Sequence, residues 1–293
     1  MALLAHSWRQ LCLLLEMIKF EHTVFALPFA LIGMLLAADG LPPPPVLGWI
    51  VVAMVGARSS AMAFNRLVDL EIDRHNPRTA GRALPAGLLS SGQAWGFTFL
   101  SAALLVLAAS RLNRTALALA PVALAIVWGY SFTKRFTALS HLVLGFAIGI
   151  APSAAWIAVR GTLEPAPLVL TLAVMGWVGG FDIIYSLQDE EFDRRMGLHS
   201  LPARLGAARA LWLSRALHVA TVALLLWLPR WAPLGAWYYA GVAATALLLA
   251  YEQTLVKPND LSRVNAAFFT VNGFVSLGLL AFTAIDLAAR GRF

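Results

Sequence analysis

The chain has 293 residues, 60% of them hydrophobic and 13% charged, with 22 Lys and Arg against 15 Asp and Glu for a net charge of +7. Soluble domains carry about 25% charged residues, so a soluble globular protein is excluded. An apolar chain with a single cysteine, Cys12, is neither disordered nor a disulfide scaffold, which leaves a polytopic membrane protein. Eight of the fifteen acids, Asp69, Glu71, Asp73, Asp182, Asp189, Glu190, Glu191 and Asp193, fall in two short stretches.

From the N-terminus, Leu3, Leu4, Trp8, Leu11, Leu15 and Ile18 have helical spacing and predict a short interfacial helix over about residues 1–19. Glu16 and Glu21, just before the first long apolar run, argue against a cleaved signal peptide. About 20 apolar residues cross the hydrocarbon core. Nine stretches qualify: roughly 20–38, 46–70, 94–110, 114–132, 138–158, 167–189, 210–228, 232–254 and 264–288. Turn signals separate several of them, at 40–45, 85–92, 161–167 and 258–260. Only Arg111, Asn113 and Arg114 break the run between the third and fourth. The expected architecture is one all-α bundle of nine transmembrane helices over residues 1–293, without a soluble domain.

Lys and Arg in the loops set the orientation. Thirteen lie on the side of the N-terminus and of the 2–3, 4–5, 6–7 and 8–9 loops; six lie on the other side, and Arg58, Arg66 and Arg215 fall within spans. The N-terminus and those loops are therefore predicted to be cytoplasmic. The positive charge is a topology signal, and nucleic acid is not implied.

Asn65, Asp69 and Asp73 are spaced i, i+4, i+8. Each step of four turns about 40° past a full turn and rises about 6 Å, so the three make a winding stripe that ends at the cytoplasmic mouth. Asp182, Tyr185, Asp189 and Asp193 make a second stripe, while Glu71, Glu190 and Glu191 fall off both. Carboxylates in a membrane are costly and serve sites, and two facing stripes repel unless a cation lies between them. Oxygen-only ligands suit a hard cation such as Mg²⁺, which accepts phosphate oxygens as further ligands; Asp69, Asp73, Asp189 and Asp193 are the expected ligands. Basic residues follow each stripe: Arg74, Arg78 and Arg82, then Arg194, Arg195 and Arg204, with Tyr130, Lys134 and Arg135 in a third loop. Guanidinium groups beside a carboxylate-held Mg²⁺ are what a diphosphate requires. For a single loop arginine, positive-inside topology is the competing explanation.

At these residues the chain resembles the UbiA superfamily of intramembrane aromatic prenyltransferases. Asn65, Asp69 and Asp73 match the family's N-D-x-x-D-x-x-x-D motif, with Arg66 in place of its second residue. Asp182, Tyr185, Asp189 and Asp193 match D-x-x-Y-x-x-x-D-x-x-x-D, and Tyr130 to Arg135 (Y-S-F-T-K-R) resembles a third, basic motif. The likeness runs from Lys19 to the last helix. N-P-R-T-A-G-R-A-L-P-A-G and F-D-R-R-M-G-L-H-S-L-P-A-R look like the bacterial quinone-pathway branch, with 4-hydroxybenzoate polyprenyltransferases and a related dihydroxynaphthoate group. Arg66 leans toward the latter.

The resemblance implies a Mg²⁺-dependent transfer of a polyprenyl group from an allylic polyprenyl diphosphate to an aromatic phenolic acid, in the lipid bilayer of a bacterial inner membrane. Asn65, Arg78, Arg82, Lys134 and Arg194 are expected near the diphosphate, with Tyr130 beside them. Asp182 and Tyr185 are expected to orient the acceptor or take its proton, and Arg135 to pair with its phenolate or carboxylate. Arg58, seven residues before Asn65, either binds the acceptor carboxylate or makes a structural pair. His22 and His199 are placed near the pocket mouth, more as structural groups than as ligands; His141 and His218 show no ligand spacing. A membrane cation transporter is the rival of another class, but transporter sites lie near the midplane, and arginines beside a cation path would repel the cargo. A non-catalytic assembly protein would give the stripes no purpose. Prenylation of protohaem or chlorophyllide would keep the fold and change the acceptor.

Overall fold

The structure is a computed structural model describing residues 12–18 and 23–293. In chain order the helices are α1 (Thr23–Ala38), α2 (Pro44–Val68), α3 (Leu70–His75), α4 (Ser91–Leu112), α5 (Arg114–Thr133), α6 (Ser140–Arg160), α7 (Pro165–Ser186), α8 (Glu190–Arg195), α9 (Leu201–Leu205), α10 (Ala207–Trp227), α11 (Ala236–Leu255) and α12 (Asn272–Ala289). Among the described residues there is no strand, only an isolated bridge between Lys257 and Asp260. Among the described residues nine helices are long, one for each expected span. Seven segments are long and apolar enough to cross a membrane; a further apolar helix, Phe25–Ala38, is shorter, and α11 is not among the seven. This is a multi-pass membrane protein.

Polar residues set the ends of the third and fourth spans. Ser90 begins α4 with a capping box: its Oγ accepts from Gln93 N at 3.2 Å, and Gln93 Oε1 accepts from Ser90 N at 2.9 Å. Asn113 ends α4 and starts α5, accepting from Ala116 N at 2.8 Å while its amide donates to the Ile157 and Ala158 carbonyls at 2.7 and 3.0 Å. Of the expected interfacial helix, residues 12–17 are helical, and Met17 and Ile18 bury against Ala63 and Leu84. The rest of that helix, with Lys19 and His22, lies outside the described residues.

Helix α7 is the buried centre of the bundle; Ala173, Val174, Trp177, Val178, Ile183 and Ile184 are fully covered. It lies hard against α6 because of two glycines. A Cβ on Gly145 would sit 2.4 Å from the Met175 carbonyl oxygen, and one on Gly149 would sit 2.7 Å from that of Thr171. Small residues four apart let helix backbones meet in this way where lipid offers no hydrophobic drive. The same stripe continues one turn further to His141, which it delivers beside Asp182.

The start of the last span differs from a plain helix. Residues Ala266–Val271 form a π-helical turn before α12. Asn272, fully buried, donates to the Ala267 and Phe268 carbonyls at 3.0 and 3.2 Å and to Glu252 Oε1 at 2.9 Å, and accepts from Trp177 Nε1 at 2.6 Å. Glu252 is itself fully buried. One polar node thus ties α7, α11 and α12 together, and the wider turn it holds presents Phe268 and Phe269 to the cavity described next.

Candidate active site

Both acidic stripes cross a helix break, at Asp69 in the first and at Asp189 in the second. The turn at Asp69 has φ −90° and ψ 5°, between α2 and α3. At Asp189 φ is −103° and ψ 3°, after the 3₁₀ turn Leu187–Asp189 and before α8. Both lie in the sparsely used bridge region between helix and strand, where many active-site residues sit. Spacing alone predicts unbroken helices here; i to i+4 bonds still run from Asp69 N to Asn65 O (2.9 Å) and from Asp73 N to Asp69 O (2.7 Å), so the polar stripe survives the break.

The two breaks face each other across a cavity of about 330 Å³. Its wall includes Arg58, Asn65, Asp69, Asp73, Arg78, Arg82, Tyr130, Lys134, Asp182, Tyr185, Asp189 and Asp193, so twelve of the fourteen singled-out residues meet there. The other two do not line it. Arg194 points away from it, paired at 2.7 Å with Glu190 on an exposed helix face. A positive-inside arginine with a partner one turn back explains it better than a diphosphate ligand. Arg135 lies behind the wall, bonded to the Ser131 and Val68 carbonyls at 2.9 and 2.7 Å and to Asp69 Oδ1 at 3.2 Å. It is placed to brace Asp69 rather than to meet an acceptor.

Three of the four expected metal ligands are paired with cations. Asp69 Oδ2 takes Lys134 Nζ at 3.0 Å and Asn65 Nδ2 at 3.1 Å. Asp73, buried, takes Arg82 Nη1 on both oxygens at 3.0 and 2.8 Å, with Arg66 Nη1 at 3.8 Å. Asp189 takes the two-pronged Arg78 guanidinium, Nε on Oδ1 at 2.9 Å and Nη2 on Oδ2. Arg78 Nη1 also donates to the Tyr185 hydroxyl at 3.1 Å. Burial works against the Arg78 charge, but the hydrogen bonds and charge of Asp189, helped by Tyr185 and Asp73, more than offset it, and its pKa is raised. The fourth aspartate, Asp193, lines the mouth.

The cavity wall carries five aspartates and five Lys or Arg. Such a balanced wall would be loaded with uncompensated negative charge by a diphosphate alone; a divalent cation entering with it offsets most of that charge. Among the described residues no three His, Cys, Asp or Glu side chains form a ready metal cage. Mg²⁺ needs no such cage, since it binds through one or two carboxylates, waters and substrate phosphates.

Two further residues belong to the site and carry no signal of spacing. Asn76 donates to Asp189 Oδ1 at 2.9 Å and accepts from Arg78 N at 2.9 Å, so it fixes both halves of that ion pair. His141 bonds Asp182 Oδ2 through Nδ1 at 2.7 Å. His199, by contrast, serves through its backbone, donating to the Lys134 carbonyl at 2.7 Å. Deeper in, the wall is aromatic: Phe268 stands 4.2 Å from Tyr185, 5.2 Å from Phe181 and 5.5 Å from Phe25, ring centre to ring centre.

Comparison with known proteins agrees with this geometry. The model of the UbiA prenyltransferase family matches residues 26–277. A Vibrio cholerae protein named 4-hydroxybenzoate octaprenyltransferase is 34% identical over 252 residues, covering 85% of this chain and 87% of its own. An apo structure of a UbiA homolog from Aeropyrum pernix K1 superposes with a TM-score of 0.83 at 38% identity, over 91% of this chain and 98% of that one. A UbiA homolog from Archaeoglobus fulgidus, bound to DMAPP and Mg²⁺, shares the fold with a TM-score of 0.71 at 20% identity, over 94% and 99% of the two chains.

Proposed function

The chain belongs to the UbiA prenyltransferase family, and we propose that it carries a polyprenyl group from an allylic polyprenyl diphosphate to a phenolic acid of the 4-hydroxybenzoate type. The acceptor class follows the activity in the Vibrio cholerae relative's name. One observation carries the reading: two acidic motifs and their basic partners converge on a single cavity whose floor is aromatic. We take the whole chain, 1–293, as one catalytic unit.

Asp69, Asp73, Asp189 and Asp193 would hold Mg²⁺, the ion bound with DMAPP in the Archaeoglobus fulgidus neighbour. When bound it supplies positive charge to the leaving diphosphate. Arg78, Arg82 and Lys134 add charge-assisted hydrogen bonds to the same oxygens, and Asn65 orients that end of the site. The C–O bond breaks and its electron pair leaves with the diphosphate. Phe25, Phe181, Phe268 and Phe269 line the space of the allylic cation, present π faces to it and exclude water. The ring carbon ortho to the acceptor hydroxyl forms the new C–C bond. Asp182, beside Tyr185, accepts the proton that is lost, and Arg58 faces the acceptor carboxylate. Part of the tail is assigned to a second, apolar cavity of about 290 Å³ lined by Ile50, Met54, Leu105, Ile126 and Ile150.

The site and N-terminus face the cytoplasm of a bacterial inner membrane in this reading, since thirteen loop Lys and Arg lie on that side against six. Asp69→Ala and Asp189→Ala should each abolish Mg²⁺-dependent transfer in membranes while the protein stays folded; full activity in either would refute the assignment. Offering 4-hydroxybenzoate and dihydroxynaphthoate in competition decides the acceptor. Labelling Arg194→Cys, in a chain whose own Cys12 is replaced by Ser, from one side of sealed vesicles decides the orientation.

A further inference from the structure

His141 has two hydrogen bonds, and together they determine its tautomer. Nε2 lies 3.2 Å from Leu201 N, a backbone N–H that donates only, so Nε2 carries the lone pair. In the neutral ring the proton then sits on Nδ1, which donates to Asp182 Oδ2 at 2.7 Å. The imidazole is buried, 5% exposed, while the Asp182 side chain is 22% exposed toward the cavity. Among the described residues His141 is the one hydrogen-bond partner of the Asp182 carboxylate, and it comes from a different helix.

The ring also rests on the segment after α8. That segment is tied to the diphosphate end of the site: His199 N donates to the Lys134 carbonyl at 2.7 Å, and Ser140 Oγ donates to the His199 carbonyl at 3.4 Å. Two residues on, Leu201 N holds His141. A short relay thus runs from the backbone of Lys134, through the 199–201 segment and the imidazole, to Asp182.

We propose that His141 is the positioning residue of Asp182: its Nδ1–H fixes one carboxylate oxygen and aims the other at the acceptor, while its Nε2 sets that aim by the 199–201 segment. This rests on the role given to Asp182 above. The pin acts on the acceptor side, so its loss falls on acceptor turnover and spares diphosphate binding.

The two contacts separate by substitution. The side-chain amide of Asn reaches where Nδ1 stands, and that of Gln reaches where Nε2 stands. His141→Gln keeps the Leu201 contact and loses the pin; His141→Asn keeps the pin. With the full chain in membranes, His141→Gln and His141→Phe should lower kcat/KM for 4-hydroxybenzoate about ten- to a hundredfold, the scale of a misplaced catalytic group. KM for the polyprenyl diphosphate should stay within about twofold of wild type. His141→Asn should recover most of the loss. Wild-type acceptor turnover in His141→Gln, or an equal loss in Gln and Asn that tracks thermal stability and raises diphosphate KM alike, would overturn the proposal. Asp182→Asn separates this from the reading beneath it. If Asp182→Asn is inactive while His141→Gln is wild type, the positioning role fails alone; if Asp182→Asn is fully active, the role of Asp182 fails and the positioning role with it.

Discussion

Gly145→Ala adds one methyl group at the tightest point between α6 and α7. That carbon would fall 2.4 Å from the Met175 carbonyl oxygen, a backbone atom that cannot rotate away. Non-bonded atoms rest at about 3.5 Å, so the helices must part locally by roughly 1 Å. Overpacking of this kind costs about 1–3 kcal/mol. The same parting carries His141, one turn away on the same stripe, off Asp182; a 2.7 Å hydrogen bond stretched by that amount is at or beyond its useful range. Two readouts should therefore move together in Gly145→Ala: the melting temperature of the purified protein in detergent falls, and acceptor kcat/KM drops about tenfold or more. The control is Gly96→Ala on the exposed face of α4, where a Cβ meets nothing within 4 Å. Alanine in a helix is favoured over glycine by about 0.5–1 kcal/mol, so this variant should be as stable as wild type and fully active. Gly145→Ala with wild-type melting and wild-type acceptor turnover would refute the claim that close backbone approach sets the Asp182 pair.

Arg78→Lys keeps a charge but loses the two-pronged bond to Asp189 and the third contact to Tyr185; KM for the polyprenyl diphosphate should rise about tenfold, since a point charge does not replace a planar fork. Arg194→Ala should leave steady-state activity within about twofold, because an exposed i, i+4 pair is worth under about 1 kcal/mol; a large loss would return Arg194 to the site. Asn272→Leu removes every partner of the Trp177 indole N–H given above and one from Glu252. It should lower stability by about 3 kcal/mol or more, read as a large drop in detergent melting temperature.

Much of the fold and of the site is legible in the sequence. Apolar runs match the nine long helices of the described residues, and Arg111, Asn113 and Arg114 mark a true turn. The acidic motifs met because each lies at the same end of a helix, and position along a span is readable. Other features depend on three-dimensional path. Arg78 and Arg194 follow their motifs alike in sequence, yet one crosses to the opposite motif and the other folds back to Glu190. The breaks at Asp69 and Asp189 keep helical spacing, so period counting passes over them. Asn76 and His141 were invisible as site residues because their partners lie far off in the chain, at Asp189 and Asp182. The π-helical turn leaves no pattern at all; it depends on Asn272 reaching two carbonyls of the preceding turn.

That node also constrains how the protein is made. Trp177 belongs to the sixth long helix to emerge, Glu252 to the eighth and Asn272 to the ninth. Until the ninth arrives, the indole N–H lacks its acceptor and Glu252 Oε1 its donor, in a medium with no water to substitute. The bundle therefore closes from its centre only when its final hairpin is in place. A nascent chain ending before Asn272 leaves the Glu252 side chain with only His218, 3.8 Å from its Oε2, for polar company inside the membrane.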